Sequence, residues 1–346
     1  MNRSIYSTEY LMRLGQRIVD QPRYFLNRYF TEVWTRDEDV ILYDVEDLSE
    51  GITPFVHPLH EGKIMKHHGY RTKFIRPAYV KEKVIHDPEL PIKRMPGEAI
   101  GGELTAEQRM RLHVMNDVNR LKDRLTNREE VMAHEIIKKG GLTVIGEGFQ
   151  EYVDFGRDKS LTIDQAGIKA GYNKDWADPE FPMTDFLESC SRKVSELSLN
   201  KSQATDVHMG SKAWELFRRN KEVIAAGDLR RGVDITLVMT PTQQADSVHY
   251  KGRFGDFEIF VHYGTYLDGT VEKRFFEPGE ALLTAKSVGG ARYYGKIRDK
   301  KANLRAMDYF LKSWETEDPC HTYIMIQSAP LLVSRDPNTA CLMTVV

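Results

Sequence analysis

One stretch limits the possible folds more than any other. From Leu104 to Lys139, between Gly101-Gly102 and Gly140-Gly141, the chain has no glycine and no proline and is crowded with strong helix formers. Thr105 followed by Gln108 is a capping-box start, and the glycine pair after Lys139 is a stop. Between them Val114, Val118, Leu121, Leu125, Met132 and Ile136 recur at helical steps and lay down one apolar stripe. Glu107 with Arg111, and Glu135 with Lys139, are i,i+4 pairs that support the exposed face. The pattern predicts a helix over 104–139 that spans ~52 Å at 1.5 Å per residue. Ordinary helices run to ~11–12 residues, so this one is roughly threefold longer. Thr126 and Asn127 are weak formers, and a kink or split is expected there. A rod of this length suits an elongated subunit.

The segments before it have no core of their own. Residues 1–30 interleave Tyr6, Tyr10, Tyr24, Phe25, Tyr29 and Phe30 with arginines, and the pattern predicts short helices over Ser7–Arg17 and Pro22–Phe30. Such an arm must pack on its own body or on a neighbour. From Thr31 to Glu50 the chain holds eight carboxylates and one arginine, a local charge of −7; from His57 to Arg94 it holds nine Lys/Arg against four Asp/Glu, a local charge of +5. Opposite blocks this close together predict complementary surfaces, within one subunit or between copies.

The basic block also alternates. Tyr70, Thr72 and Phe74 share one side, Pro77 interrupts, and Tyr79–Ile85 resumes, between Pro54, Pro58, Pro88, Pro91 and Pro96. This predicts an extended two-stranded loop of about forty residues, which is marginal alone and must lie against another surface.

Beyond the long helix, strands are expected at Leu142–Ile145 and Glu151–Phe155, and polar residues 156–182 look like a crossing into a second domain. There the patterns predict a helix from Thr184 to Leu197, a strand at Thr205–Met209 and a helix N-capped by Ser211. Further strands are expected at Phe257–His262, Ala281–Ala285, Thr322–Gln327, Leu331–Val333 and Cys341–Val346.

The totals narrow the function classes. Over 346 residues the net charge is −2, which lacks the basic excess of a dedicated nucleic-acid binder. Cys190, Cys320 and Cys341 are odd in number without CxxC spacing, so neither a disulfide framework nor a zinc site is expected. No apolar run approaches the ~18 residues of a membrane span, and Met1-Asn2-Arg3-Ser4 does not begin a signal peptide. A cytosolic origin is expected.

Several catalytic patterns begin and then fail. His134-Glu135-Ile136-Ile137-Lys138 places a lysine where the HExxH helix needs its second zinc ligand, and His134 is expected on the helix surface beside Glu130. Gly290-x4-Gly295-Lys296 has P-loop spacing but is followed by Ile297 instead of Ser or Thr. The adjacent pair His67-His68 cannot share a metal from a strand. His57 and His60, flanking Pro58-Leu59, are a weak metal signal and are read as loop residues, and Cys320-His321 has no third orienting group. No enzyme, cofactor or metal is indicated.

Ordered along the chain are Pro54-Phe55-Val56-His57-Pro58-Leu59-x-x-Gly62, Gly69-Tyr70-Arg71-Thr72-x-Phe74-x-x-Pro77-x-Tyr79-Val80-Lys81-x-Lys83, Arg292-Tyr293-Tyr294-Gly295-Lys296-Ile297-Arg298-Asp299, Lys312-Ser313-Trp314-x-x-x-Asp318-Pro319, Ile326-Gln327-Ser328-Ala329-Pro330-Leu331 and Asp336-Pro337. This set, covering nearly the whole chain, resembles the major capsid protein family of lambda-like tailed bacteriophages. The resemblance implies an α+β Hong Kong ninety-seven-type capsid fold. It assigns an N-terminal arm at 1–50, an extended β-hairpin loop at 51–96 and a peripheral domain at 97–155 with its spine helix at 104–139. An axial domain would follow at 156–308, with return strands of the peripheral domain at 309–346. It implies a major capsid protein that self-assembles as hexamers and pentamers into the icosahedral shell of a phage head. Partners would be copies of itself, a separate scaffolding protein, a portal protein, a decoration protein and enclosed double-stranded DNA bound without sequence specificity. The location would be the virion, assembled in the host bacterial cytoplasm. Contacts between copies are expected from Tyr24 and Phe25 of the arm and from Tyr70, Arg71, Lys73, Phe74, Arg76, Tyr79, Lys81 and Lys83 of the loop. The alternatives are an encapsulin-like cargo shell of the same fold and a hydrolase using residues 184–308.

Overall fold

A computed structural model describes residues 5–18, 23–38, 40–46, 53, 55, 61, 70–87, 89, 91–93, 98, 104–146, 149–228, 237–243, 248–318 and 320–346. The helices among them are α1 (Thr8–Arg17), α2 (Tyr24–Tyr29), α3 (Ala106–Lys139), α4 (Gln165–Tyr172), α5 (Met183–Leu197), α6 (Ser211–Phe217) and α7 (Lys221–Asp228). The strands of the first half are β1 (Glu32–Thr35), β2 (Ile41–Glu46), β3 (Tyr70–Ile75), β4 (Val80–His86), β5 (Gly141–Gly146), β6 (Phe149–Asp154) and β7 (Thr162–Ile163). Those of the middle are β8 (Ala204–Met209), β9 (Leu237–Gln243), β10 (Val248–Phe254), β11 (Phe257–His262), β12 (Thr265–Asp268), β13 (Val271–Arg274) and β14 (Glu280–Ala285). The chain closes with β15 (Gly290–Tyr294), β16 (Phe310–Thr316), β17 (His321–Ser328), β18 (Pro330–Ser334) and β19 (Ala340–Thr344).

The spine helix α3 forms as its sequence dictates. The Thr105 hydroxyl accepts the Gln108 N–H while the Gln108 side chain accepts the Thr105 N–H. Gly140 closes the helix in the left-handed region at φ 69°, which glycine adopts without steric cost. Arg157 completes the C-terminus by donating to the Lys138 carbonyl at 2.7 Å, and its other amino group donates to the Leu161 carbonyl, also at 2.7 Å. The expected kink at Thr126-Asn127 does not occur. Thr126 donates its hydroxyl back to the Lys122 carbonyl at 3.0 Å, and the helix runs on.

Every residue of the stripe is buried, but the stripe serves two separate cores. Val114, Val118, Leu121 and Leu125 pack with Leu11 of α1 and with Leu311, Ile324 and Ile326. Met132, Ala133, Ile136 and Ile137 pack with Phe25, Tyr29 and Phe30 and with Leu331 to Val333 of β18. The rod therefore ties two clusters together, and losing apolar character at its centre would open the first outright.

Two three-stranded sheets flank the rod, in the orders β16–β17–β4 and β1–β15–β18. A seven-stranded sheet, β7–β19–β14–β8–β11–β10–β9, builds the second unit with α4 to α6 packed against it. The pairs β2–β3, β5–β6 and β12–β13 stand as two-stranded ribbons.

The structure corrects several expectations. The strands at Tyr70–Ile75 and Val80–His86 do not pair with each other: β3 pairs with β2, and β4 pairs with β17. Pro77 and its neighbours carry the chain from one sheet to the other, and the acidic and basic stretches meet as adjacent strands, Val45 in register with Arg71 and Tyr43 with Lys73. Residues 156–182, expected as a crossing into a second domain, are part of its core: Leu161, Ile168, Trp176 and Phe181 are all buried there. The last strand, expected to run with the others of 309–346, does not join the three-stranded sheets that hold β16, β17 and β18. β19 lies between β7 and β14 in the seven-stranded sheet, where Cys341 and Met343 reach the second core. Helix α6 starts at Ser211 and is preceded by Gly210, because a Cβ at 210 would sit 2.1 Å from the Glu277 carbonyl oxygen. The expected residues 47–52, 56–60, 62–69 and the turn at 147–148 lie outside the described residues.

Candidate intersubunit surfaces

The arm is fastened to the body by buried polar groups. The α2 helix has orphan N–H groups at its start, and Glu130 of the spine accepts those of Phe25 and Leu26, each at 2.8 Å. At the other end Arg292 donates to the carbonyls of Phe30 at 2.6 Å and Leu26 at 2.9 Å. Gly290 beside it permits close passage of the arm, since a Cβ there would lie 2.4 Å from the Tyr29 carbonyl oxygen. Of the two glycines with P-loop spacing, Gly290 thus starts β15 and lets the arm pass, while Gly295 follows the strand and packs against Pro77.

From α2 a hydrogen-bonded chain runs into the seven-stranded sheet. Arg28 pairs with Asp206 at 2.7 Å; the Tyr29 hydroxyl lies 3.0 Å from Asp206 Oδ2 and 2.7 Å from His208 Nε2; His208 Nδ1 lies 3.0 Å from His262 Nε2. With neutral rings every proton has one place. His262 donates to His208, His208 to Tyr29 and Tyr29 to Asp206. Burial holds the rings neutral, pushing the His208 imidazole well below its usual range and that of His262 down to about 3.

His134 corrects an expectation in the same region. It is not on the surface beside Glu130 but buried among Phe25, Phe275 and Phe276, with ring centroids 5.2, 5.5 and 4.9 Å away. Its Nε2 has no hydrogen-bond partner among the described residues, and burial drives its pKa well down. Tyr24 and Phe25, expected to contact another copy, are 5% and 1% exposed within their own chain. They are taken up by the internal packing of the arm.

The loop residues are placed differently. Phe74 is 73% exposed on β3, and Arg76 is exposed just after it. The backbones of Tyr70, Arg71 and Lys73 lie in β3, while their side chains fall outside the described residues. Tyr79 is half-buried; its hydroxyl donates to Gln327 at 2.9 Å and accepts the Arg298 N–H at 3.0 Å. Lys81 and Lys83 are exposed on β4, with their ammonium groups 5.0 Å from the ring centres of Tyr79 and Tyr323. His86, at the end of the same strand, ties it to the rod through Asp117 at 2.7 Å.

Two features escaped the sequence analysis. The polar chain from Arg28 to His262 joins residues up to 234 positions apart, and no local spacing announces it. The second is the outward face of β16–β17–β4, where Trp314 stacks on Tyr323 with centroids 5.2 Å apart and planes 10° from parallel. Alternation along Phe310–Thr316 was the available signal, and it needed the pairing partners to become a face. Among the described residues no group of three or more His, Cys, Asp or Glu is arranged to hold a metal ion, and no helix is long and apolar enough to cross a membrane.

Comparison with known proteins agrees with this architecture over the full length. The major capsid protein of Escherichia phage lambda is 29% identical over 342 residues, covering 97% of both chains. The crystal structure of a prophage capsid protein from Escherichia coli CFT073 superposes with a TM-score of 0.71 at 22% identity, covering 98% of this chain and 99% of that one. The capsid of Ralstonia phage GP4 follows at a TM-score of 0.53 and 12% identity, covering 92% and 88%. The fold is the α+β Hong Kong ninety-seven type shared by these phage capsid subunits. The family described as phage major capsid protein E matches residues 7–345, and the chain belongs to it.

Proposed function

We propose that this chain is the major capsid protein of a tailed bacteriophage, self-assembling as hexamers and pentamers into the icosahedral shell that encloses double-stranded DNA. The observation that carries the reading is the family match over residues 7–345. The subunit's shape agrees: two cores strung on one rod, with the β2–β3 ribbon a separate two-stranded sheet whose Ile41 and Ile75 are buried in the core around Phe25 and Leu331. A ribbon of two strands is marginal in water and gains stability from a neighbour.

In this reading Tyr70, Arg71, Lys73, Phe74, Arg76, Tyr79, Lys81 and Lys83 contribute the contacts between copies. Single rim ion pairs supply ~0–1 kcal/mol each, so the strength of a shell arises from repetition, and weak contacts let misplaced subunits leave. A separate scaffolding protein, a portal protein and a decoration protein are the further partners. The chain works as a structural protein and not as an enzyme, assembles in the host bacterial cytoplasm and resides in the virion.

Sedimentation of the purified chain, alone and with scaffold co-expressed, tests the proposal. Megadalton particles are expected. A species fixed at the 39.9 kDa subunit mass under both conditions would refute it. DNA in mature particles, as opposed to a protein cargo, separates a phage head from an encapsulin-like shell.

A further inference from the structure

The spacing of the three cysteines along the chain suggests no bridge, yet the fold brings two of them together. Cys190 lies on α5 and Cys341 on β19, and both are 0% exposed. Helix α5 turns Phe186, Leu187, Cys190 and Val194 into the second core. Along β19 the alternation sends Cys341 and Met343 to that same core, while Ala340 and Leu342 face the other way. The two side chains meet there, and the Cys190 thiol donates a hydrogen bond to the Cys341 sulfur. Cys320, the third, is exposed in the turn between β16 and β17.

Two buried thiols fill a core as small apolar groups, but this pair is polarised. The shared proton stays with Cys190, whose pKa is pushed well up by that hydrogen bond and by burial. The same bond lowers the Cys341 thiol, and the charges of Arg157 and Lys193 lower it further against the effect of burial. The Arg157 Nε–H is itself buried and has no hydrogen-bond partner among the described residues. One sulfur with thiolate character, a second thiol in contact with it and cations alongside are the parts that thiol–disulfide exchange uses.

We infer that Cys190 and Cys341 are a covalent cross-linking site, forming a disulfide that staples α5 to β19 when the chain meets a small-molecule disulfide. In the first step the Cys341 thiolate attacks one sulfur of that disulfide and expels the other as a thiolate. Cys190 then loses its proton and attacks the Cys341 sulfur, expelling the second small thiolate. Two protein thiols and one small disulfide become one protein disulfide and two small thiols, with two electrons passing from the protein pair to the reagent. Local opening of α5 gives the reagent its access. A reducing cell interior keeps the pair as thiols, and the bond forms in the oxidising medium outside, a setting that rests on the capsid reading. The bond closes a ring over the chain from 190 to 341, which restricts the unfolded state and holds the closing strand of the seven-stranded sheet.

The test uses the full chain with Cys320→Ser, which removes the exposed thiol and leaves the buried pair. It is equilibrated in mixtures of reduced and oxidised glutathione, once from the folded state and once by refolding out of urea, so that slow access to the core does not decide the result. After acid quenching, intact mass separates the linked form, lighter by two hydrogens, from dithiol and glutathione adducts, and peptide mapping locates the link. The same titration in urea is the reference. The folded chain should reach half oxidation at a glutathione disulfide level at least ~10-fold lower than the unfolded chain. The linked chain should melt ~3–6 °C higher, a gain that dithiothreitol removes. Cys190→Ser in the same background should give no linked form and no change in melting on oxidation. Oxidation of the folded chain no easier than of the unfolded one, glutathione adducts in place of the link, or a link that lowers the melting temperature overturns the inference. Peptide mapping of the oxidised wild type repeats the test if Cys320→Ser disturbs folding. These readouts do not depend on assembly, so a chain that links as expected but forms no particles counts against the capsid reading alone.

Discussion

The carboxylate of Glu130 accepts the backbone N–H of Phe25 at 2.8 Å, 105 residues away in sequence. Its other oxygen takes the next N–H, that of Leu26, also at 2.8 Å. One side chain of the spine thus serves as the N-terminal cap of a six-residue arm helix that supplies no side-chain cap of its own. The arm's position is set by the rod and not by its own propensity, because a helix this short does not form in isolation.

Glu130→Ala should therefore loosen the arm. It leaves two buried N–H donors without an acceptor, and charged hydrogen bonds of this kind contribute ~1.5–3 kcal/mol each. A loss of roughly 2–4 kcal/mol in chemical denaturation is expected, with accelerated proteolysis between α1 and α2. A loss below ~0.5 kcal/mol would show that the aromatic packing alone holds the segment.

Gly290→Ala attacks the same junction from the other side. The added methyl would lie 2.4 Å from the Tyr29 carbonyl oxygen and 2.8 Å from the Phe30 ring, too close for either to remain in place. The cost should be about 1–3 kcal/mol, as for overpacking in a core. Combined with Glu130→Ala, it should cost less than the sum of the two, since both release one element.

The histidine chain predicts a pH dependence with a definite sign. His262 has its folded pKa pushed from 6.5 down to about 3, and His208 and His134 are shifted in the same direction. A depressed imidazole pKa means the unfolded chain binds more protons. Stability is then fully present above the usual value and is lost as pH falls from about 6.5 toward 3. Each such histidine contributes a slope of up to ~1.4 kcal/mol per pH unit in that window. The surrounding charges are Arg28, Asp206, Glu130 and Lys138, with Tyr24 and Tyr29 as the neighbouring phenols. Denaturant midpoints at pH 7 and pH 5 measure the effect, and His262→Phe should flatten the difference while lowering stability at pH 7. An unchanged difference in that variant would place the titration elsewhere.

Folding and assembly should separate cleanly by residue. Leu121 is 1% exposed where the spine meets the β16–β17–β4 sheet, so Leu121→Asp buries a charge without a partner and should abolish folding. Arg71→Glu with Arg76→Glu should leave a soluble, folded subunit that fails to close shells. Soluble, monomeric and folded Leu121→Asp protein would move the spine to the interface. Normal particles from the double arginine variant would remove the β3 end of the loop from it.

What the sequence disclosed was local, and what it withheld was long-range. The spine's capping box, stripe and glycine stop were legible because all three are set within a few residues. The partner of β4 was not: Val80–His86 alternates as any half-buried strand does, and only the fold reveals that it pairs with β17 some 240 residues later. Tyr24 and Phe25 were misplaced for the same reason. Aromatic residues on a short helix mark a surface that must be covered, without saying whether the cover is the same chain. Here Glu130, His134 and Phe276 cover it from within. The outer face of β16–β17–β4 was hidden in an alternation whose two sides both carry large apolar residues.

Negative-stain electron microscopy of the expressed chain, with and without scaffold, tests the central claim most directly. The account predicts closed, isometric shells of uniform size whose surface shows six-fold and five-fold clusters of subunits. A field of well-folded single subunits, unchanged at high protein concentration and with scaffold present, would contradict it.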